Sequence, residues 1–495
     1  MSRRSMISSG RRCERRRSRG TRASGANTIR FGAFSHQGTA YYASAIAPRA
    51  RGLEERDFLA ELMEACRRAK LHLVVYVNSG FDPIMGEKHP EWVRRDARGR
   101  KAHQGWLWNM CNSSPYLDYF LSIAEEVARK YQPECLYVDN FMGGLLCRCE
   151  GCRAAYREAT GNEVPKEADF DSRAFRRYLA WHYGHQRALW RRVASRVRRA
   201  SPGTLLVFNR GTYLHGCVRR VGCRQEEMIE DADALHYECA TRGLNEDLAS
   251  YINQTAKFGR AVGGRPWMWV EYAPFPWMVL SCPGTELELK AAKVIANNGV
   301  PVVWTLLPEK HAEMSGRRAI RRAFSVVEKN EDAFAGWEEL PYAGILYSRE
   351  SAEWLGRESV RENYEGRYQG AFRALLDLAV PFQVVLDGDL REESLRGFKV
   401  LVLPNAGVIS ERAAKALEGF VRRGGVLVAT GRTSLHDGVG KEMRDFRLAR
   451  LFGVSFRGEA LNACAGYAAA AQSRGGKELL PLIGEVLRVE ATDAE

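Results

Sequence analysis

Three carboxylates in this chain stand at the ends of β-branched or aromatic runs: Asp139 closes Cys135-Leu136-Tyr137-Val138, Glu238 closes Ala234-Leu235-His236-Tyr237, and Glu271 closes Trp267-Met268-Trp269-Val270. Two such groups brought together can run a displacement, one donating a proton to a leaving oxygen while the other, ionised, attacks or activates water. A second chemistry is written in cysteine. Cys147-x-Cys149-x-x-Cys152 sets three thiols in one tight loop, and Cys111 upstream can supply a fourth. Four soft ligands suit a tetrahedral zinc, and an ion fully ligated by cysteine has no open position, so the expected role is structural.

The elements that carry these residues alternate. Strand-like runs at 28–34, 73–78, 135–139, 205–209, 234–238, 267–271 and 302–305 are separated by amphipathic stretches such as 54–70. That alternation is the pattern of βα units around a parallel sheet, here a (β/α)8-type barrel. Seven strands are found where eight are needed, and the first βα unit is the one missing. Most runs end in a polar residue, and barrel sites gather at the C-terminal ends of strands because the loops converge there.

After Trp337 the pattern restarts with shorter runs at 344–347, 384–386, 400–403 and 426–429, with helical segments at 368–378 and 410–423. This predicts a flavodoxin-like, class I amidotransferase-like α/β domain. It lacks the nucleophilic cysteine on a sharp strand-to-helix turn, having Ala429-Thr430-Gly431-Arg432 instead. Nor does a glycine-rich phosphate loop follow its first strand. The resulting organisation is an Arg-rich disordered tail at 1–26, a barrel at 27–337, the second domain at 338–460, and a truncated or disordered segment at 461–495.

With 495 residues, 45% hydrophobic and 27% charged, the chain has the composition of a soluble globular protein, and no apolar run approaches a membrane span. Much of the net charge of +14 sits in the N-terminal tail, so nucleic acid is not an expected partner. That tail lacks the apolar stretch of a secretory signal and reads as a disordered arm or a misassigned gene start; a cytoplasmic location with reduced thiols is expected.

The loop Val138-Asp139-Asn140-Phe141-Met142-Gly143 with the cysteine cluster resembles the fourth-strand region of glycoside hydrolase family 42, the β-galactosidases. Val270-Glu271-Tyr272 with Trp277, and Cys282-Pro283-Gly284 with the helix that follows, look like that family's nucleophile strand. Leu403-Pro404-Asn405-Ala406 and Gly424-Gly425-Val426-Leu427-Val428 resemble its trimerisation domain. Phe34-Ser35-His36-Gln37-Gly38 and His89-Pro90-Glu91-Trp92 look closer to the group called hypothetical glycosyl hydrolases, which pair such a barrel with such a second domain.

The resemblance implies a glycosidase, a carbohydrate substrate, no organic cofactor and a homo-oligomer, trimer or dimer. One departure stands out: family 42 has Asn-Glu at the end of the fourth strand, the Glu being its acid/base, whereas Asn140 is followed by Phe141. Glu271 matches the family's nucleophile position, while Tyr137-Val138-Asp139 is also like the nucleophile strand of α-fucosidase-type barrels. Asp139 is the preferred nucleophile, with Glu238 or Glu271 as acid/base; the swapped assignment stays open. For sugar binding the sequence offers aromatic platforms in Trp106, Trp108, Trp277 and Trp304. His36, Asn78, Asn140, Asn209 and Arg210 are the polar candidates. The competing reading is a non-catalytic carbohydrate-binding barrel.

Overall fold

The computed structural model describes residues 25–239, 250–272, 282–304, 316–335, 338–340, 342–470 and 478–492; Trp277 lies outside them. The chain divides into two compact units, Met1–Trp337 and Glu338–Glu495.

The first unit is a curled parallel sheet of the (β/α)8 type. Its strands are β1 (Thr28–Phe34), β2 (His72–Asn78), β3 (Cys135–Asp139), β4 (Leu205–Gly211), β5 (Ala234–Tyr237), β6 (Trp267–Glu271) and β7 (Val300–Trp304), hydrogen-bonded in that order. Among the described residues β1 and β7 each pair with one neighbour, which leaves the eighth place in the ring open. The sheet nonetheless curls. Phe31 of β1 lines the same cavity as Val302 and Trp304 of β7.

Helices α1 (Phe58–Ala69), α2 (Tyr116–Tyr131), α3 (Glu150–Thr160), α4 (Arg173–Ala200), α5 (Tyr251–Val262), α6 (Gly284–Ala296) and α7 (Gly316–Lys329) follow the strands. Sequence patterning marked the strands closely but placed no element on the 28 residues of α4. That helix is anchored by Trp190, whose ring lies 4.4 Å from Phe208 of β4 and 5.8 Å from Phe141. Phe141 is 1% exposed. The residue that departs from the Asn-Glu pattern therefore fills core volume, where truncation of a Phe to Ala costs about 3–5 kcal/mol.

Strand geometry selects the site. Side chains alternate between the two faces of a strand, so residues two apart share a face. Val74 and Tyr76, Cys135 and Tyr137, Val207, Ala234 and Trp267 cluster on one face of the sheet. The same parity carries forward to Asn78, Asp139, Asn209, His236, Glu238, Trp269 and Trp304. Register then aligns neighbours, with Asn78 opposite Asp139 and Asn209 opposite His236.

In the second unit β8 (Ala343–Tyr347), β9 (Phe382–Leu386), β10 (Val400–Pro404) and β11 (Val426–Thr430) form a parallel sheet in the order β9-β8-β10-β11. Helices α8 (Gly366–Asp377) and α9 (Glu411–Arg422) belong to it, and Leu346, Leu401, Leu403, Leu417 and Phe420 form its core. Within segment 461–495 the described residues carry strand structure: Val454–Ala470 and Glu478–Ala491 are the two strands of an antiparallel ribbon, which the sequence pattern did not indicate. Its alanine-rich stretch hides the period-two pattern by which a strand is recognised, and long-range pairing supplies what local patterning does not.

Candidate active site

Asp139 sits at the last position of β3, 13% exposed at its side chain and held by three donors. Tyr76 donates its hydroxyl to Oδ2 at 2.8 Å; Asn209 Nδ2 and the Asn140 backbone N–H donate to Oδ1 at 2.7 and 2.8 Å. Asn140 follows with φ of 58°, a left-handed conformation that Asn tolerates better than most residues. It is accommodated because residue 80 is glycine: a Cβ there would stand 1.9 Å from the Asn140 carbonyl oxygen. Ser79 binds the Asp139 carbonyl oxygen through both its N–H, at 2.8 Å, and its hydroxyl, at 2.7 Å.

Asn209 also donates to Glu238 Oε1 at 2.9 Å through the same Nδ2 that reaches Asp139. One amide nitrogen thus ties the two carboxyls together. Their bonded oxygens can be separated by at most the sum of two hydrogen bonds, 2.7 and 2.9 Å. The two carboxyls therefore face one another across a single amide nitrogen. A register shift between Asn209 and Gly211 in the β4–β5 pairing lets Glu238 N–H reach the Gly211 carbonyl at 2.6 Å, in the way bulges re-aim side chains beside sites. Burial, reinforced by the nearby charge of Asp139, pushes the Glu238 carboxyl above its ordinary value, and the Asn209 hydrogen bond opposes this.

Beneath the pair lies Arg30, its guanidinium 4.5 Å from the Tyr137 ring centre and 5.7 Å from that of Tyr76. Tyr137 in turn reaches His236 Nδ1 at 2.9 Å. His36 Nε2 lies 2.9 Å from Tyr76 Oη, 2.9 Å from Asn140 Nδ2 and 3.9 Å from Asp139 Oδ2. Desolvation lowers the imidazole's pKa despite the carboxylate beside it, which favours the neutral ring.

Apart from Ser79 and the buried Tyr137, these side chains line a cavity of about 910 Å³, with Arg220, Gln104, Leu107, Trp269 and Trp304 on other parts of its wall. Trp269 and Trp304 meet edge to face at 4.5 Å. His36, Asn140, Asn209 and Trp304, named from the sequence, lie at the cavity. Asn78 is fully buried beneath it, accepting from Asn140 Nδ2 at 3.1 Å. Trp108 packs on Gly86 and Lys101, while Trp106 stands 64% exposed at the turn of the hairpin formed by His103–Gln104 and Leu107–Trp108. Arg210 is buried and absent from the cavity wall.

Glu271 is fully buried and outside that wall as well, its carboxylate 3.5 Å from the buried ammonium of Lys290, which also meets Glu286 at 2.9 Å. Sequence reasoning did not single out Tyr76, Arg30, Arg220 or Trp269; the inward parity of the first, second and fourth is the signal that could have found them.

Away from this cavity, Cys111, Cys147, Cys149 and Cys152 are all buried, with their sulfurs within 4.8 Å of one another. Cys111 Sγ lies 3.3 Å from Cys149, 3.5 Å from Cys152 and 4.0 Å from Cys147. Those spacings bracket the roughly 3.8 Å edge of a tetrahedron with 2.3 Å metal–sulfur bonds, so the cluster could hold a metal ion. Cys149 also caps α3, accepting from the Cys152 N–H at 3.4 Å.

Residues 16–140 match the family described as hypothetical glycosyl hydrolase 6, and residues 342–462 match the β-galactosidase trimerisation domain. β-Galactosidase BglY of Alicyclobacillus acidocaldarius is 23% identical over 444 residues, covering 77% of this chain and 62% of that protein, so the chain spans less than two thirds of that relative. Among solved structures, the β-galactosidase of Bacillus circulans sp. alkalophilus superposes with a TM-score of 0.78 at 16% identity, over 97% of this chain and 78% of that one. An α-L-fucosidase, isoenzyme 2 of Paenibacillus thiaminolyticus, gives 0.76 at 20% identity over 97% and 69%. The resemblance to family 42-like glycosyl hydrolases thus extends through both units, and among the described residues no helix is long and apolar enough to cross a membrane.

Proposed function

We propose that this chain, built in both units like the family 42-type glycosyl hydrolases, is a retaining glycosidase in which Asp139 attacks the anomeric carbon and Glu238 is the acid/base. The observation that carries the proposal is the single Asn209 amide bridging the two carboxyls, because retaining enzymes need them only roughly 5–5.5 Å apart. In the first step Asp139 forms a bond to the anomeric carbon as Glu238 gives its proton to the departing oxygen. In the second, Glu238 takes a proton from water, whose oxygen displaces Asp139. Tyr76 and Asn209 hold the Asp139 carboxyl in place by hydrogen bonds, and the buried Glu238 favours its proton, which suits it to the acid's part. Trp269 and Trp304 supply faces for the sugar ring, and Trp106 at the hairpin turn would meet the leaving portion.

The cysteine cluster is read as a closed structural zinc site of Cys111, Cys147, Cys149 and Cys152. Homo-oligomerisation through the second unit is part of the same reading, supported by the trimerisation-domain match.

The alternative assignment, with Glu271 as nucleophile, is disfavoured by its buried ion pair. Glu271→Gln is therefore expected to act on stability: removing one partner of a buried pair costs about 3 kcal/mol, read as a lower denaturant midpoint, whereas an intact midpoint with lost turnover would return Glu271 to the chemistry. For the acid, activity falls as pH rises through its pKa, because only the protonated form donates. Since Glu238 is raised, the alkaline limb of kcat/KM should lie above the ordinary Glu range. A limb that survives unchanged in Glu238→Gln would assign it to another group. The function itself is tested by hydrolysis of a panel of nitrophenyl α- and β-glycosides, with the anomer first released followed by NMR.

A further inference from the structure

The described wall of the cavity offers a cation beyond those that the catalytic carboxyls engage. Among the described residues, its charged and imidazole-bearing wall comprises Arg30 and Arg220, the carboxyls of Asp139 and Glu238, and the imidazoles of His36 and His236. With one carboxyl ionised to attack and the other holding the proton it donates, two guanidiniums face one anion. Arg30 is accounted for, since it sits against Tyr137 and Tyr76 below Asp139. Arg220 is not. It is exposed, and among the described residues its guanidinium has one hydrogen-bond partner, the weak acceptor Cys217 Sγ at 3.7 Å, with no ion pair to a carboxylate.

Its placement is built. The Arg220 carbonyl accepts from Gly144 N–H at 2.7 Å, and that of Val221 accepts from Gly143 N–H at 2.9 Å. Both bonds pin this segment to the loop that follows Asp139. The side chain then folds over Gly211 at the end of β4, where a Cβ would stand 2.4 Å from Arg220 Nη2. A glycine at that position, with φ of 66°, is what lets the guanidinium rest on the cavity wall beside Glu238.

We propose that the substrate carries a carboxylate, as a uronic acid residue does, and that Arg220 is the group that receives it. The proposal rests on the glycosidase reading for its chemistry and on the unpaired guanidinium for its specificity. A planar fork of N–H donors matches a carboxylate in two parallel bonds, and such charge-assisted bonds are stronger than neutral ones.

The test uses the full chain and two readouts. Tryptophan fluorescence, sensitive to Trp269 and Trp304, measures binding of D-glucuronate and D-galacturonate against D-glucose and D-galactose. Nitrophenyl uronides, sulfated glycosides and neutral glycosides compare turnover. At least tenfold tighter binding of one uronate than of its neutral counterpart is expected. The uronide-to-neutral ratio of kcat/KM should fall at least tenfold in Arg220→Gln and be only partly kept in Arg220→Lys, which retains the charge but not the fork. Equal binding of uronates and neutral sugars, or turnover confined to neutral or sulfated glycosides, overturns the carboxylate assignment and leaves the glycosidase reading standing. Preferential uronate binding that Arg220→Gln abolishes, with no glycoside cleaved, keeps the anionic site and removes the hydrolase.

Discussion

Asp139→Asn is expected to leave a folded protein whose kcat/KM on its preferred glycoside falls by more than the roughly 10²–10⁴-fold that a positioned acid/base group contributes. The substitution keeps side-chain volume and preserves an oxygen for the Tyr76 hydroxyl, so near-ultraviolet circular dichroism should match wild type. The nucleophile's charge is lost, together with the acceptor for Asn209 Nδ2 and the Asn140 N–H. Asp139→Gly sharpens the test, because a small anion can then occupy the vacated space: azide attacks the anomeric carbon, the leaving group departs with the proton of Glu238, and a glycosyl azide of inverted configuration accumulates. Glu238→Gly with azide should instead give the azide of retained configuration, formed from the glycosyl-Asp139 intermediate. Exchange of these two outcomes would exchange the roles of the residues. Absence of azide product from both would move the pair out of the chemistry.

Cys147→Ser should produce the largest loss of stability of any single substitution considered. With four buried sulfurs within 4.8 Å of one another, a metal would tie Cys111, which precedes α2, to the loop that enters α3. Loss of one ligand releases that tie and leaves a hydroxyl among buried thiols. A fall in Tm of roughly 5–15 °C is expected, with the same fall produced in wild type by a strong chelator and reversed by added zinc. Elemental analysis of the purified chain should return about one zinc per chain in wild type and much less in the variant. A metal-free protein with unchanged Tm would reduce the cluster to four packed thiols. Turnover at a temperature where both forms are folded should be altered little, since the cluster lies outside the cavity wall.

The outline of both units was legible in the residues because strands and amphipathic helices are local patterns. Runs such as Leu73-Val74-Val75-Tyr76-Val77 report their own conformation, and Cys147-x-Cys149-x-x-Cys152 reports its own loop. The terminal ribbon escaped because its pairing joins residues such as Val454 and Ala491, far apart in sequence, across a stretch with no alternating polarity.

At the site, residue types at strand ends determined the list of candidates: Asp139, Glu238 and Glu271 were interchangeable on composition and position alone. Only the tertiary structure separated them. It placed Lys290 against Glu271 and left that carboxylate in a buried ion pair, while Asn209, brought between β3 and β5 by strand register and a bulge, joined Asp139 to Glu238. The reason is one of range. Conformation and inward parity follow from a residue's immediate neighbours, but a pKa, an ion pair and a distance between two carboxyls depend on what the fold brings from elsewhere in the chain.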